Sequence, residues 1–182
     1  MLTCKSISTA AITTANLKIH MRVESSDTSQ DAAIAGFGLA AQRYIESRCR
    51  MSVNVSSWEK RTRDYIIPLE MGELKTFTSL ETVDDSGTRV AVTDYRINYT
   101  PALATIIIGP TVSLTNGTDD LEFSAKWDAQ APADLADSLT QSIAMLSAHF
   151  YATRESVVVG TIAVPVPMGV DMLCDSMTLA RI

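Results

Sequence analysis

The sequence predicts an α+β protein: a helical body of two N-terminal helices and one long C-terminal helix, an inserted antiparallel β-sandwich-like domain, and an extended C-terminal arm. Three observations predict it. Apolar residues recur at spacings of three and four over residues 31–50 and again over 132–153, as one buried face of a helix requires. Between them, residues 53–128 hold short β-prone runs separated by turn residues, the texture of an antiparallel sandwich or small barrel. After the second helical stretch, residues 157–170 are apolar and punctuated by Pro165 and Pro167, which forbids helix and forces extension.

Taken in order, Thr13 or Thr14 can cap a short helix in which Leu17 and Met21 share a face. Asp27 and Gln30 have capping-box spacing for a second helix, and Asp31 adds negative charge to its first turn. Ile34, Phe37, Ala41, Tyr44, Ile45 and Arg48 then form one face, ending near Arg50, and Arg43, Arg48 and Arg50 suit the C-terminal end of the helix dipole. Gly36 and Gly38 interrupt this helix at about 1 kcal/mol each relative to alanine. They mark either sequence noise or close approach of a neighbouring helix or subunit.

Extended runs come next: Val53-Asn54-Val55, then 58–67 closed by Pro68, then 74–83, 89–92, 95–99 and 103–108. Asp84-Asp85-Ser86-Gly87 has the residues of a tight turn, and Asn116-Gly117 marks a hairpin between 111–114 and 121–127. Lys60, Arg61 and Arg63 lie beside Trp58 and Tyr65, but Glu59 and Asp64 interleave with them, so a solvated strand face is expected rather than a nucleic-acid platform. Pro132 suits the first position of the long helix, and Asp134 and Asp137 load its first turn. Leu135, Leu139, Ile143, Leu146 and Phe150 make its apolar stripe, which fades at Arg154-Glu155.

The expected divisions are therefore 1–52 for the N-terminal helices, 53–128 for the β domain, 129–156 for the long helix packed on the N-terminal helices, and 157–182 for the arm with a short terminal helix. Arm residues Val157, Val158, Val159, Ile162, Val164, Pro165, Val166, Pro167, Met168, Val170, Met172 and Leu173 are the candidate partner interface. Each buried valine is worth roughly 1.5–3 kcal/mol, which favours a covered arm, either on its own sheet or on a partner. Gly36, Gly38, Tyr44, Phe150 and Tyr151 are the candidates for packing between subunits.

The 182 residues are 46% apolar and 20% charged, in the range of folded globular proteins. No apolar run is long enough to span a bilayer, and Met1 to Ala10 has no secretory pattern, so a cytoplasmic site of synthesis is expected. The net charge of −6 opposes phosphate binding. Cys4, Cys49 and Cys174 are too scattered for a zinc site or a disulfide framework. There is no phosphate-binding loop, no Gly-x-Ser-x-Gly, no zinc-protease motif and no calcium loop. His20 and His149, each on a helix among apolar residues, are expected to pack rather than catalyse. Asp84-Asp85 and Asp119-Asp120 fall at turns, where aspartate is common for backbone reasons. No catalytic, cofactor or metal residue is assigned.

The stretches Leu17-Lys18-Ile19-His20-Met21-Arg22-Val23-Glu24, 27–34 and 44–50 resemble the N-terminal helices of tailed-phage head-tail connector proteins, the head-completion adaptors. Residues 132–155 look like that family's long helix, and Val158-Val159-Gly160 with Pro167-Met168-Gly169-Val170 resemble the segment C-terminal to that helix in the family. Cys49 stands where a glycine commonly ends the second helix, and Lys126-Trp127-Asp128 replaces a tyrosine- and glycine-rich strand end. The resemblance implies a non-enzymatic virion protein that forms a homo-oligomeric ring of about twelve copies under the portal, joined head to tail. It further implies that the arm docks on the portal protein, that stopper or tail proteins attach below, and that DNA passes the lumen without sequence-specific binding. Removal of residues 157–182 is then expected to leave a folded protein that no longer attaches to heads. A tail-completion or other ring component of the neck or tail is the alternative, and a small hydrolase using Asp/Glu pairs is the third.

Overall fold

The computed structural model describes residues 1–6, 9–99, 103–112, 121–153 and 168–177. Among them are four helices and two antiparallel sheets, an α+β mixture. The chain divides into two compact units: Met1–Ser8 with Asn54–Ala131, and Thr9–Val53 with Pro132–Ile182.

The β unit contains strands β1 (Leu2–Cys4), β2 (Ser56–Thr62), β3 (Ile66–Leu69), β4 (Glu73–Val83), β5 (Arg89–Ala91), β6 (Tyr95–Tyr99), β7 (Ala104–Ile108) and β8 (Glu122–Gln130). They form a five-stranded sheet in the order β1-β2-β8-β4-β5 and a three-stranded sheet in the order β3-β7-β6. Period-two alternation sends Phe123, Ala125, Trp127 and Ala129 of β8 into one apolar core with Ile67, Leu69, Leu80, Ile106 and Ile108, so both sheets contribute to it. Trp127 is almost fully buried, and its indole N–H donates to the carbonyl of Glu70 at 3.1 Å. That bond steadies the β3–β4 connection, where Met71 and Gly72 both have positive φ and a Cβ on Gly72 would strike the Gln130 carbonyl.

Several expectations change here. Leu2–Cys4, expected with the helices, pairs antiparallel with β2 as an edge strand. Three residues are too few to show a periodicity. Pro68 does not close a strand but lies inside β3, paired opposite Thr105. Because β3 is an edge, the missing N–H costs no ladder bond. Residues 113 and 114 of the expected 111–114 strand and the Asn116-Gly117 turn lie outside the described residues, while β8 pairs with β2 and β4.

The helical unit contains α1 (Thr14–Met21), α2 (Asp31–Cys49), α3 (Ala133–Ala152) and α4 (Met168–Met177). The Thr13 hydroxyl caps α1 by accepting from the Asn16 N–H. Asp27 does not cap α2; its carboxylate closes a local turn by accepting from the N–H and hydroxyl of Ser29, and α2 begins four residues later. Helix α2 ends at Arg50 in the left-handed conformation, one residue past Cys49.

Leu17, Ile34, Ala41, Ile45, Leu139, Ile143 and Leu146 are buried where α1, α2 and α3 meet. Gly38 has a packing reason inside the chain, since a Cβ there would lie 2.6 Å from Leu17 Cδ1. Two buried polar residues, one turn apart on α2, tie down the segments that enter and leave this part of the unit. The Gln42 carboxamide accepts from the Ala11 N–H at 2.9 Å and donates to the Thr9 carbonyl at 3.3 Å. It also donates to Glu46 at 3.0 Å, and Glu46 accepts from the Val53 N–H at 3.0 Å.

Glu46→Ala strands the buried Val53 N–H and one Gln42 donor. Denaturant unfolding is expected to show a loss of about 3 kcal/mol, larger than for an exposed α2 position such as Ala40→Ser.

Candidate functional site

The polar face of the five-stranded sheet carries a charge network centred on Glu59. Its side chain is only 3% exposed, yet its carboxylate receives Lys5 at 2.5 Å, the Ser124 hydroxyl at 2.6 Å and Arg89 at 3.2 Å. Arg61 lies 3.6 Å away. Arg89 also donates to Glu81 at 2.8 Å, and Lys126 reaches Glu81 at 3.1 Å. Burial raises the Glu59 carboxyl, but the hydrogen bonds from Lys5, Ser124 and Arg89 outweigh it and hold the group at about 2. Glu59 therefore stays ionised at neutral pH and serves as an anchor for cations, not as a proton donor. Lys60 and Arg61 are adjacent in a strand and point to opposite faces, with Lys60 3.8 Å from Glu70, so the basic cluster is not one platform.

The remaining polar groups have local structural partners. The Asp84 carboxylate accepts from the Ser86 hydroxyl at 2.6 Å and the Thr88 N–H at 2.7 Å, which closes the turn ending at Gly87. Asp119 and Asp120 lie outside the described residues. His20 is exposed on α1 rather than packed, and His149 is half-buried near the end of α3. Among the described residues there is no group of three or more His, Cys, Asp or Glu side chains able to hold a metal. No helix among them is long and apolar enough to cross a membrane.

The arm's described portion is α4, and it divides the expected interface. Val170 is fully buried, and so are Cys174 and Met177, against α2 and α3. Met168 and Met172, one turn apart, are 78% and 67% exposed. Val170 is thus part of the helical core and not a docking residue, because helical spacing sends it to the face opposite the two methionines. Leu173 is half-buried. Val157, Val158, Val159, Ile162, Val164, Pro165, Val166 and Pro167 lie outside the described residues. Arg48 of α2 pairs with Asp175 at 2.9 Å beside this contact. The buried thiols of Cys49 and Cys174 meet there too; burial, then Cys174 itself, pushes the Cys49 thiol up to about 12. Both thiols are packing groups rather than nucleophiles.

The candidates for packing between subunits also separate. Tyr151 donates its hydroxyl to Gln30 at 3.0 Å and meets Phe37 edge-on, so it has a role inside the chain, as Gly38 does. Phe150 is half-buried. Gly36 faces open space and Tyr44 is 39% exposed, so these two remain on the surface with Leu39 at 42%. Leu39 is absent from the sequence-based candidates because it falls off the predicted face of Ile34, Phe37, Ala41 and Ile45 and carries no other local mark. The available signal was the near absence of charge over residues 32–45.

No protein-family model matches the chain, and no curated protein sequence does. Solved structures match over its whole length. A chain in the neck of an empty gene transfer agent particle, computed with C6 symmetry, is 20% identical with a TM-score of 0.76, covering 100% of this chain and 97% of that one. A chain in the virion of the native particle is 21% identical with a TM-score of 0.75 and the same coverage. A chain in the native particle's neck, computed with C12 symmetry, is 22% identical with a TM-score of 0.67, again covering 100% and 97%. The fold is thus that of chains found in the necks of phage-like particles.

Two outcomes are expected from this geometry. Glu59 has a folded-state value below its ordinary 4.5, so its contribution is complete above pH 4.5 and is lost as pH falls toward 2. Glu59→Gln is expected to lower stability at pH 7 by about 2 kcal/mol and to flatten the loss between pH 4.5 and 2, read by thermal melts across pH. Deletion of residues 168–182 removes Val170, Cys174 and Met177 from the core and should cost on the order of 4 kcal/mol in denaturant unfolding. This replaces the expectation that removing everything after residue 156 leaves the body undisturbed.

Proposed function

We propose that this chain is a structural head-tail connector subunit of a tailed phage or phage-like particle, an adaptor that forms a ring under the portal and completes the head. The observation that carries the reading is the full-length likeness to chains in gene transfer agent necks, with a TM-score of 0.76 over 97% of one such chain. The 6-fold and 12-fold symmetries of those necks support a ring of about twelve copies here as well. On this reading the helical unit builds the ring wall and the sandwich-like β unit extends it. The arm at 157–167 docks on the portal, and stopper or tail proteins attach below.

The role is mechanical rather than enzymatic, and the partners of three carboxylates of the β unit support that. Glu59, Glu81 and Asp84 are each engaged by cations, hydroxyls or backbone N–H groups. The net charge of −6 has the sign that lets DNA pass a lumen without sticking.

Replacing residues 157–167 with a glycine–serine segment of equal length keeps α4 in the chain. The variant is expected to retain the wild-type melting temperature and to be absent from purified heads. Gold-labelled wild-type protein should appear in electron micrographs at the neck, beside the portal. Label at the distal tail instead supports a tail-completion role and overturns the adaptor reading.

A further inference from the structure

The outward face of α2 is unusual for solvated helix surface. Residues 32–45 hold a single charged side chain, Arg43, in a chain that is 20% charged. At helical spacing Gly36, Leu39, Ala40, Arg43 and Tyr44 fall together on that face, and all five are exposed. Beyond its chain neighbours and its own helix backbone, Gly36 has no atom within 4 Å of where a Cβ would sit, and its backbone is ordinary helix, so no packing neighbour in the chain requires glycine there. A shallow notch flanked by leucine and tyrosine is left, with one positive charge a further turn along.

A second outward face on the same unit is its chemical complement. Met168, Asp171, Met172 and Asp175 recur at spacings of three and four on α4. The two methionines are flexible apolar ridges suited to filling an irregular notch, and Asp171 gives that face the opposite sign to Arg43, Asp175 being paired with Arg48 of its own chain. A rotationally symmetric ring needs two such unlike faces on every copy, because each contact joins one patch to a different patch on the next.

We propose that the α2 face around Gly36 and Leu39 receives the α4 ridge of a second copy of this chain, Met168 and Met172 entering the notch and Asp171 facing Arg43. The inference rests on the ring proposed above and names the surfaces that close it. The like-folded chains come from necks computed with 12-fold and 6-fold symmetry, which favours a second copy over a different protein as the occupant.

The test places the photo-cross-linker p-benzoylphenylalanine at Leu39 in the full chain, irradiates assembled particles, and maps the cross-linked peptides by mass spectrometry. The expected product has twice the 19.7 kDa chain mass, with the attached peptide inside Met168–Met177. A cross-link to another protein, to another segment of this chain, or none from a ring that is present overturns the pairing. In parallel, Arg43→Glu is expected to abolish rings on particles, and Arg43→Glu with Asp171→Arg to restore them, with melting temperatures unchanged. Failure of the double variant to restore rings also overturns it. Electron microscopy of the same particles separates the two readings: absence of the wild-type chain from the neck defeats the proposed function, whereas its presence there with the wrong cross-link defeats only the pairing.

Discussion

Gln42 and Glu46 solve the main problem posed by inserting a long β segment into a helical body. The chain enters the helical unit around Thr9 and Ala11 and leaves it at Val53, and both passages carry backbone groups that helix ladders cannot satisfy. One glutamine and one glutamate on adjacent turns of α2 supply those partners, and they bond to each other as well. Each is buried, so each would be a liability alone. Together they satisfy one another and fix where the two segments lie against α2. The packing of α1 and α3 on the same helix builds on that placement, down to the contact of Leu17 with Gly38.

The β unit meets a similar difficulty by different means. One face of its larger sheet is apolar core, centred on Trp127 and Phe123. The other carries charges in place of a second core, and Glu59 holds them in order by drawing Lys5, Arg61 and Arg89 from three parts of the chain. The short first strand is held through that network and through its pairing with β2, so an edge of three residues persists where propensity alone would not keep it.

For the ring subunit proposed above, this division of surfaces matters more than any pocket. The polar groups with good partners lie within the units, and the large exposed apolar side chains of the helical unit lie on α1 at Ile19, on α2 at Leu39 and Tyr44, and on α4 at Met168 and Met172. Helix α4 also alters the meaning of the arm. Its buried side returns to the body and is locked beside Arg48 and Cys49. In chain order the apolar residues 157–167 come between α3 and α4.

By itself the sequence determined the α+β class and most of the elements, because helical and strand periodicities are local and strong in this chain. The cap at Thr13, the turn at Asp84 to Gly87, the 95–99 strand and the apolar stripe of the long helix are all legible from neighbours a few residues away. Tertiary structure alone decided which of the singled-out residues face outward. Gly36 and Gly38 look alike in sequence, yet one faces open space and the other receives Leu17. Val170 and Met172 are two apolar neighbours of one short helix, yet one is core and the other surface. Glu59 shows no sign in sequence of being a hub, since Lys5, Arg89 and Ser124 are brought to it from 54, 30 and 65 residues away. Such assignments depend on long-range packing, and no local pattern carries them.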